Sequence, residues 1–138
     1  MRTFKTLAAS LLLAAAGMAQ AHAPADASAP GPDVKPLMAQ LLSDNPGKEV
    51  VMLLVEYPPG GADPVHTHDA HGFVYVLEGS VVMGVRGKEP VTLQPGQTFY
   101  EGPDDVHTVG RNASQDKPAK FLAILLKNKD KPVLTPVR

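Results

Sequence analysis

The sequence predicts an all-β fold, an antiparallel sandwich or barrel, on three observations. Glycine (12) and proline (14) together approach one residue in five of the 138, which interrupts helices before they grow long. Between these breakers lie short apolar or alternating runs of strand length. Hydrophobic residues at 43% against charged residues at 20% supply a core for one domain of this size. The composition also excludes several functions. Cysteine is absent, which removes disulfides, thiolate metal sites, thiol catalysis and iron–sulfur clusters. A formal net charge of -1 without a long basic run removes the electrostatic footprint of nucleic-acid binding.

Taken in order, residues 1–21 read as a signal peptide: Arg2 and Lys5, an apolar stretch from Leu7 to Met18, then the small-residue pattern Ala19-Gln20-Ala21. The apolar stretch is too short for a membrane span, which needs about 20 residues, so export with cleavage before His22 is expected. Residues 22–36, rich in Ala and Pro, read as a disordered tether, and residues 37–138 as the barrel with a C-terminal tail. Residues 37–42 form either a short strand or one helical turn, ended by Asp44-Asn45-Pro46-Gly47. The continuous apolar run 50–55 is a buried strand. Further strands are expected at 73–77, 80–86, 91–93, 98–101, 106–110 and 119–126, separated by turn sequences such as Glu78-Gly79, Gln94-Pro95-Gly96 and Gly102-Pro103-Asp104. Phe73, Tyr75, Phe99 and Tyr100 read as core or pocket lining. Residues 128–138 read as an extended surface segment.

The histidines carry the chemistry. His66 and His68, two residues apart on a strand, project from one face and direct two imidazoles at one point. His107 follows the 102–105 turn and begins a new strand that brings a third imidazole from the opposite side. Neutral imidazoles so gathered suit a divalent transition metal: Zn, Mn, Fe, Ni or Cu. His71 lies close by in sequence, although strict alternation turns it away from the His66 and His68 face unless the loop 69–72 resets the parity. Glu101 is read as an exposed strand-end acid, the alternative being a carboxylate turned into the barrel.

These residues resemble the cupins. Gly60, five residues, His66-Thr67-His68 and then Gly79 match the first cupin motif, G-x5-H-x-H-x3,4-E-x6-G. Gly96 and His107 match the interval of the second, G-x5-P-x-G-x2-H-x3-N. The resemblance, to cupins of type 2, covers residues 48–127. It implies a double-stranded β-helix, the jelly-roll barrel, with a metal in its mouth. In this alignment the usual metal-binding Glu falls on Gly72, and the segment 66–79 looks like small or exported cupins in which a His takes that place, so the implied ligands are His66, His68, His71 and His107. The second motif also departs from its pattern: Gly102 replaces Pro, Asp104 replaces Gly, and Arg111 stands at the Asn position with Asn112 beside it.

Cupins include dioxygenases, isomerases, decarboxylases, storage proteins and sensors, so the fold does not choose among activities. The leading expectation is a periplasmic or secreted metal-binding cupin, an oxygenase-type enzyme acting on a small organic molecule. The alternative is a non-catalytic module binding a small ligand or metal, and a metal-free structural barrel comes last. Partners are expected to be a small-molecule ligand or substrate, with no nucleic acid and no membrane span. The resemblance further implies a homodimer.

Overall fold

In the computed structural model, which describes residues 29–138, every element is a strand. In chain order these are β1 (Asp33–Leu41), β2 (Lys48–Tyr57), β3 (His66–Thr67), β4 (Ala70–Glu78), β5 (Val81–Val85), β6 (Val91–Leu93), β7 (Thr98–Glu101), β8 (His107–Asn112), β9 (Ala119–Asn128) and β10 (Thr135–Pro136). They form two antiparallel five-stranded sheets, ordered β1-β2-β9-β4-β7 and β10-β3-β8-β5-β6. The chain crosses repeatedly between the sheets, and this is the double-stranded β-helix expected from the sequence. Among the described residues no helix is long and apolar enough to cross a membrane. The signal peptide expected at 1–21 lies outside the described residues.

The core fills the space between the sheets. Leu53, Val55 and Tyr57 from β2, Val74 and Val76 from β4, and Phe121 and Leu125 from β9 meet Val81 and Met83 from β5 and Leu93 from β6. Each such side chain removed from water contributes about 1.5–3 kcal/mol before entropy is counted. β4 shows the alternation that one buried face demands: Ala70, Gly72, Val74 and Val76 point inward, while His71, Phe73 and Tyr75 point outward. Phe73, Tyr75 and Tyr100 are therefore exposed on the outer face and not in the core, whereas Phe99 is half-buried and packs against the core.

Two segments are more ordered than their composition suggests. The tether expected over 22–36 gives way at Asp33 to β1, whose residues 33–36 pair with Leu53–Glu56 of β2. β1 is exposed along its whole length, so ladder hydrogen bonds rather than apolar burial hold it. Pro36 sits where a strand tolerates proline, on a sheet edge, and Leu37 forms a bulge beside it. The tail expected to be a surface segment supplies β10, which pairs Thr135 with Thr67 and Pro136 with His66.

The jelly roll closes through two local devices. Gly79, at φ 69°, makes the turn after β4, and a Cβ there would lie 2.6 Å from the Pro118 carbonyl oxygen. Thr108 is an extra residue in β8, because Gly84 and Val85 of β5 face Val109 and His107. That bulge accounts for the one-residue excess between His107 and Asn112 relative to the cupin pattern, and it returns Asn112 to the inner face.

Candidate metal centre

β3 and β8 lie side by side with His66 directly opposite His107, and His68 follows two residues after His66 on the same face. One nitrogen from each of the three rings lies within 4.8 Å of the others. His66 and His107 are buried, and His68 is 12% exposed at the cavity wall. The Phe99 ring lies 6.4 Å from the His107 ring, the two planes inclined by 27°.

Hydrogen bonds on the far side of two rings fix where the lone pairs point. His66 Nδ1 donates to the Pro64 carbonyl at 2.7 Å, and His68 Nδ1 donates to the Val133 carbonyl at 2.7 Å. Carbonyl oxygens only accept, so in each neutral ring the proton sits on Nδ1 and Nε2 presents a lone pair. Those two Nε2 atoms face each other at 3.0 Å. Two lone pairs at that distance repel unless a proton or a metal ion stands between them. Ligands about 2.1 Å from one ion are about 3.0 Å apart on adjacent octahedral corners and about 3.4 Å apart in a tetrahedron, so the observed spacing is that of two ligands sharing a metal. Both ring nitrogens of His107 are buried without a hydrogen-bond partner, which a metal bond to one of them would relieve. The donor set therefore fits a divalent transition ion.

Glu101 is the residue the sequence reading misplaced. It is 3% exposed, not a surface acid: Oε1 lies 3.1 Å from His68 Nε2 and Oε2 lies 3.4 Å from His107 Nδ1. The signal was its position two residues after Phe99, on the inward face of β7. His71, expected as a fourth ligand, is not brought to this group. The loop before β4 contains the left-handed Asp69 (φ 48°), yet the strand resumes with Ala70 inward and His71 outward. His71 Nδ1 instead meets the Tyr100 hydroxyl at 2.8 Å on the exposed face.

Electrostatics follow from burial and this carboxylate. Burial pushes the His66 pKa below its ordinary value, with His107 and His68 adding to the effect against the opposing Pro64 carbonyl, so the ring stays neutral and ready to ligate. At His68 burial pulls the same way, but the Glu101 carboxylate and the Val133 carbonyl outweigh it and raise the pKa. Burial would raise the Glu101 carboxyl, yet His68, His107 and His66 more than offset it and hold the pKa low. A metal must displace the His68 proton, so affinity should fall as pH drops through the raised His68 pKa, the decline beginning above the ordinary imidazole value of about 6.5. Titrations with a transition ion at several pH values check this, and an affinity flat between about pH 5 and 8 would contradict it.

The C-terminal tail also bears on the site through the Val133 carbonyl and β10. Removing residues 133–138 should weaken the metal about 10–100-fold by freeing the His68 ring, as loss of an orienting partner does elsewhere. A chelator-competition titration measures it; unchanged affinity would show that the tail does not orient His68.

The site opens into a cavity lined by apolar side chains, among them Leu53, Val55, Met83, Phe121, Leu125 and Leu134. Asp63 is the remaining acid in the wall, and it accepts a short hydrogen bond from the Tyr57 hydroxyl. Burial, then the charge and hydrogen bond of Asp63, hold the Tyr57 pKa well above its ordinary value, so the phenol keeps its proton.

A family profile described as Cupin domain matches residues 53–125, more than half of the chain. No curated protein matches the sequence. Among solved structures, the DMSP lyase DddQ from Ruegeria pomeroyi is 22% identical with a TM-score of 0.56 over 64% of this chain and 43% of its own, so the chain spans less than half of that lyase. A cupin-like protein from Thermotoga maritima is 21% identical, TM-score 0.58, over 77% of this chain and 75% of its own. The polyketide cyclase RemF from Streptomyces resistomycificus is 19% identical, TM-score 0.59, over 92% of this chain and 87% of its own. At these identities the likeness concerns the fold.

Proposed function

This chain belongs to the cupin domain family, and from that premise we propose that it is an exported, metal-dependent protein whose ion, held by His66, His68 and His107, serves an oxygenase-type reaction on a small organic molecule. The observation that carries the reading is the pair of opposed Nε2 lone pairs 3.0 Å apart beside a His107 ring with no hydrogen-bond partner, at the wall of an apolar cavity. A bound divalent ion supplies Lewis acidity toward a substrate oxygen and, as Fe, Ni or Cu, the capacity to activate dioxygen.

The chain's own residues define what enters. Among the described residues no Lys, Arg, Ser, Thr, Asn or Gln lines the cavity, so a substrate carboxylate or phosphate finds no fixed partner away from the histidines. The molecule that fits is small and apolar or aromatic, with its one polar end at the histidines and its body against Leu53, Val55, Phe121 and Leu125. Those side chains also exclude water from the reacting end. Export rests on the pattern of residues 1–21. Pairing of two copies is supported by the apolar outer surface formed by Phe73, Tyr75, Leu77 and Tyr100, 44–52% exposed.

A second reading, a binding module without turnover, is favoured by one observation: both acids in the cavity wall, Glu101 and Asp63, are already engaged by neighbouring side chains. Oxygen uptake separates the two. Protein loaded in turn with Mn, Fe, Ni, Cu or Zn, and offered small aromatic and enolisable compounds, should consume oxygen with a redox-active metal and lose that activity on His107→Ala. Saturable binding of such a compound with no turnover under any metal would support the binding module instead.

A further inference from the structure

We propose that Glu101 is a fourth protein ligand to the ion, occupying the space that Gly72 leaves open by having no side chain; the inference rests on the metal-binding reading above. Gly72 of β4 and Glu101 of β7 are direct partners in the antiparallel register. Both face inward: Gly72 lines the cavity and Glu101 is 3% exposed. A Cβ on Gly72 would lie 2.9 Å from Glu101 Cγ and 3.2 Å from Oε1, so the carboxylate lies directly over the glycine. Any larger residue at 72 would push it away from the histidines.

Apart from the ring nitrogens of His68 and His107, the carboxylate has no partner among the described residues. Oε2 is buried without a hydrogen-bond partner, and no Lys or Arg is among the cavity's lining residues. The buried Lys127 is engaged by Glu49. Nor does Glu101 orient a neutral His68 by hydrogen bonding. The His68 proton is committed to Val133, so Oε1 at 3.1 Å faces the same lone pair that His66 faces. An unpaired carboxylate in an apolar cavity is costly, and a divalent ion removes that cost. The 3.1 Å separation of Oε1 from His68 Nε2 falls in the range of about 3.0–3.4 Å between ligands that share one ion, and Oε2 lies 3.4 Å from His107 Nδ1. With three neutral imidazoles and one carboxylate the site carries one net positive charge rather than two. A monoanionic oxygen ligand, such as an enolate or phenolate, would neutralise it. On an octahedral ion two positions remain open.

Co(II) titration of the purified protein tests the assignment, with affinity from chelator competition and coordination from the visible spectrum. Three variants are compared with the parent: Glu101→Gln, Gly72→Ala, and the exchange Gly72→Glu with Glu101→Gly. Glu101→Gln should weaken Co(II) at least about tenfold and alter the visible bands. Gly72→Ala should do the same with all three histidines and Glu101 still present, because the new methyl group displaces the carboxylate. The exchange variant, which returns a carboxylate to the cavity from the opposite strand, should bind more tightly than Glu101→Gln. Parent-like affinity and spectrum in both single variants would overturn the ligand assignment while leaving the three-histidine site standing. Failure of the parent itself to bind Co(II) would overturn both.

Discussion

The His68→Ala protein is expected to lose stoichiometric metal, with affinity down by more than about 100-fold, while His71→Ala keeps it. His68 contributes one of the two opposed Nε2 atoms, and its ring ties β3 to the C-terminal tail through the Val133 carbonyl. Removing it leaves only two of the three histidines, His66 and His107, on neighbouring strands. Because an ion held by these histidines would link β3 to β8, metal-dependent thermal stabilisation should vanish together with binding. His71 makes its hydrogen bond to Tyr100 on the outer face, so its replacement should leave both quantities near the parent's. Elemental analysis and melting with and without added metal read the pair; equal metal content in the parent and His68→Ala would contradict the site.

Asn112→Ala is expected to destabilise the fold by about 3 kcal/mol, a large effect for a polar residue away from the histidines. The side chain is 1% exposed. Its amide donates to the carbonyls of Pro58 at 3.0 Å and Lys117 at 2.7 Å, and its carbonyl accepts from the Ser114 amide at 2.9 Å. Alanine leaves these groups, from the end of β2 and from the loop between β8 and β9, without partners and opens a cavity among them. For a domain of this size the loss corresponds to a melting point lower by about 10–20 °C. Thermal unfolding followed by circular dichroism measures it. A shift within about 2 °C would mean that water replaces the amide at no cost.

The strands of the barrel were legible because apolar runs and turn residues are local. Residues 50–55 and 119–126 are apolar runs of strand length with one face largely buried and the other half-buried, and glycines at positive φ, among them Gly47, Gly79 and Gly96, mark the turns between strands. β1 and β10 were not legible in full. Both are held by pairing with a neighbouring strand rather than by burial of their own side chains, and that pairing leaves no mark on composition. In the site, His66, His68 and His107 followed from strand parity and motif spacing. Glu101 did not, since its role depends on lying opposite Gly72 in a register that one sequence does not display. His71 was drawn toward the site by family resemblance, against the parity of β4, and the parity prevailed. The Val133 carbonyl that orients His68 comes from 65 residues away and is a backbone atom, which no side-chain pattern announces.

The central claim, that three histidines on β3 and its flank and on β8 hold a transition ion, is tested most directly by the metal content of the purified, chelator-free protein. About one ion per chain is expected, retained through gel filtration and absent from the His66, His68 and His107 alanine variants. Protein that emerges metal-free and takes up none of Mn, Fe, Co, Ni, Cu or Zn at neutral pH would contradict it.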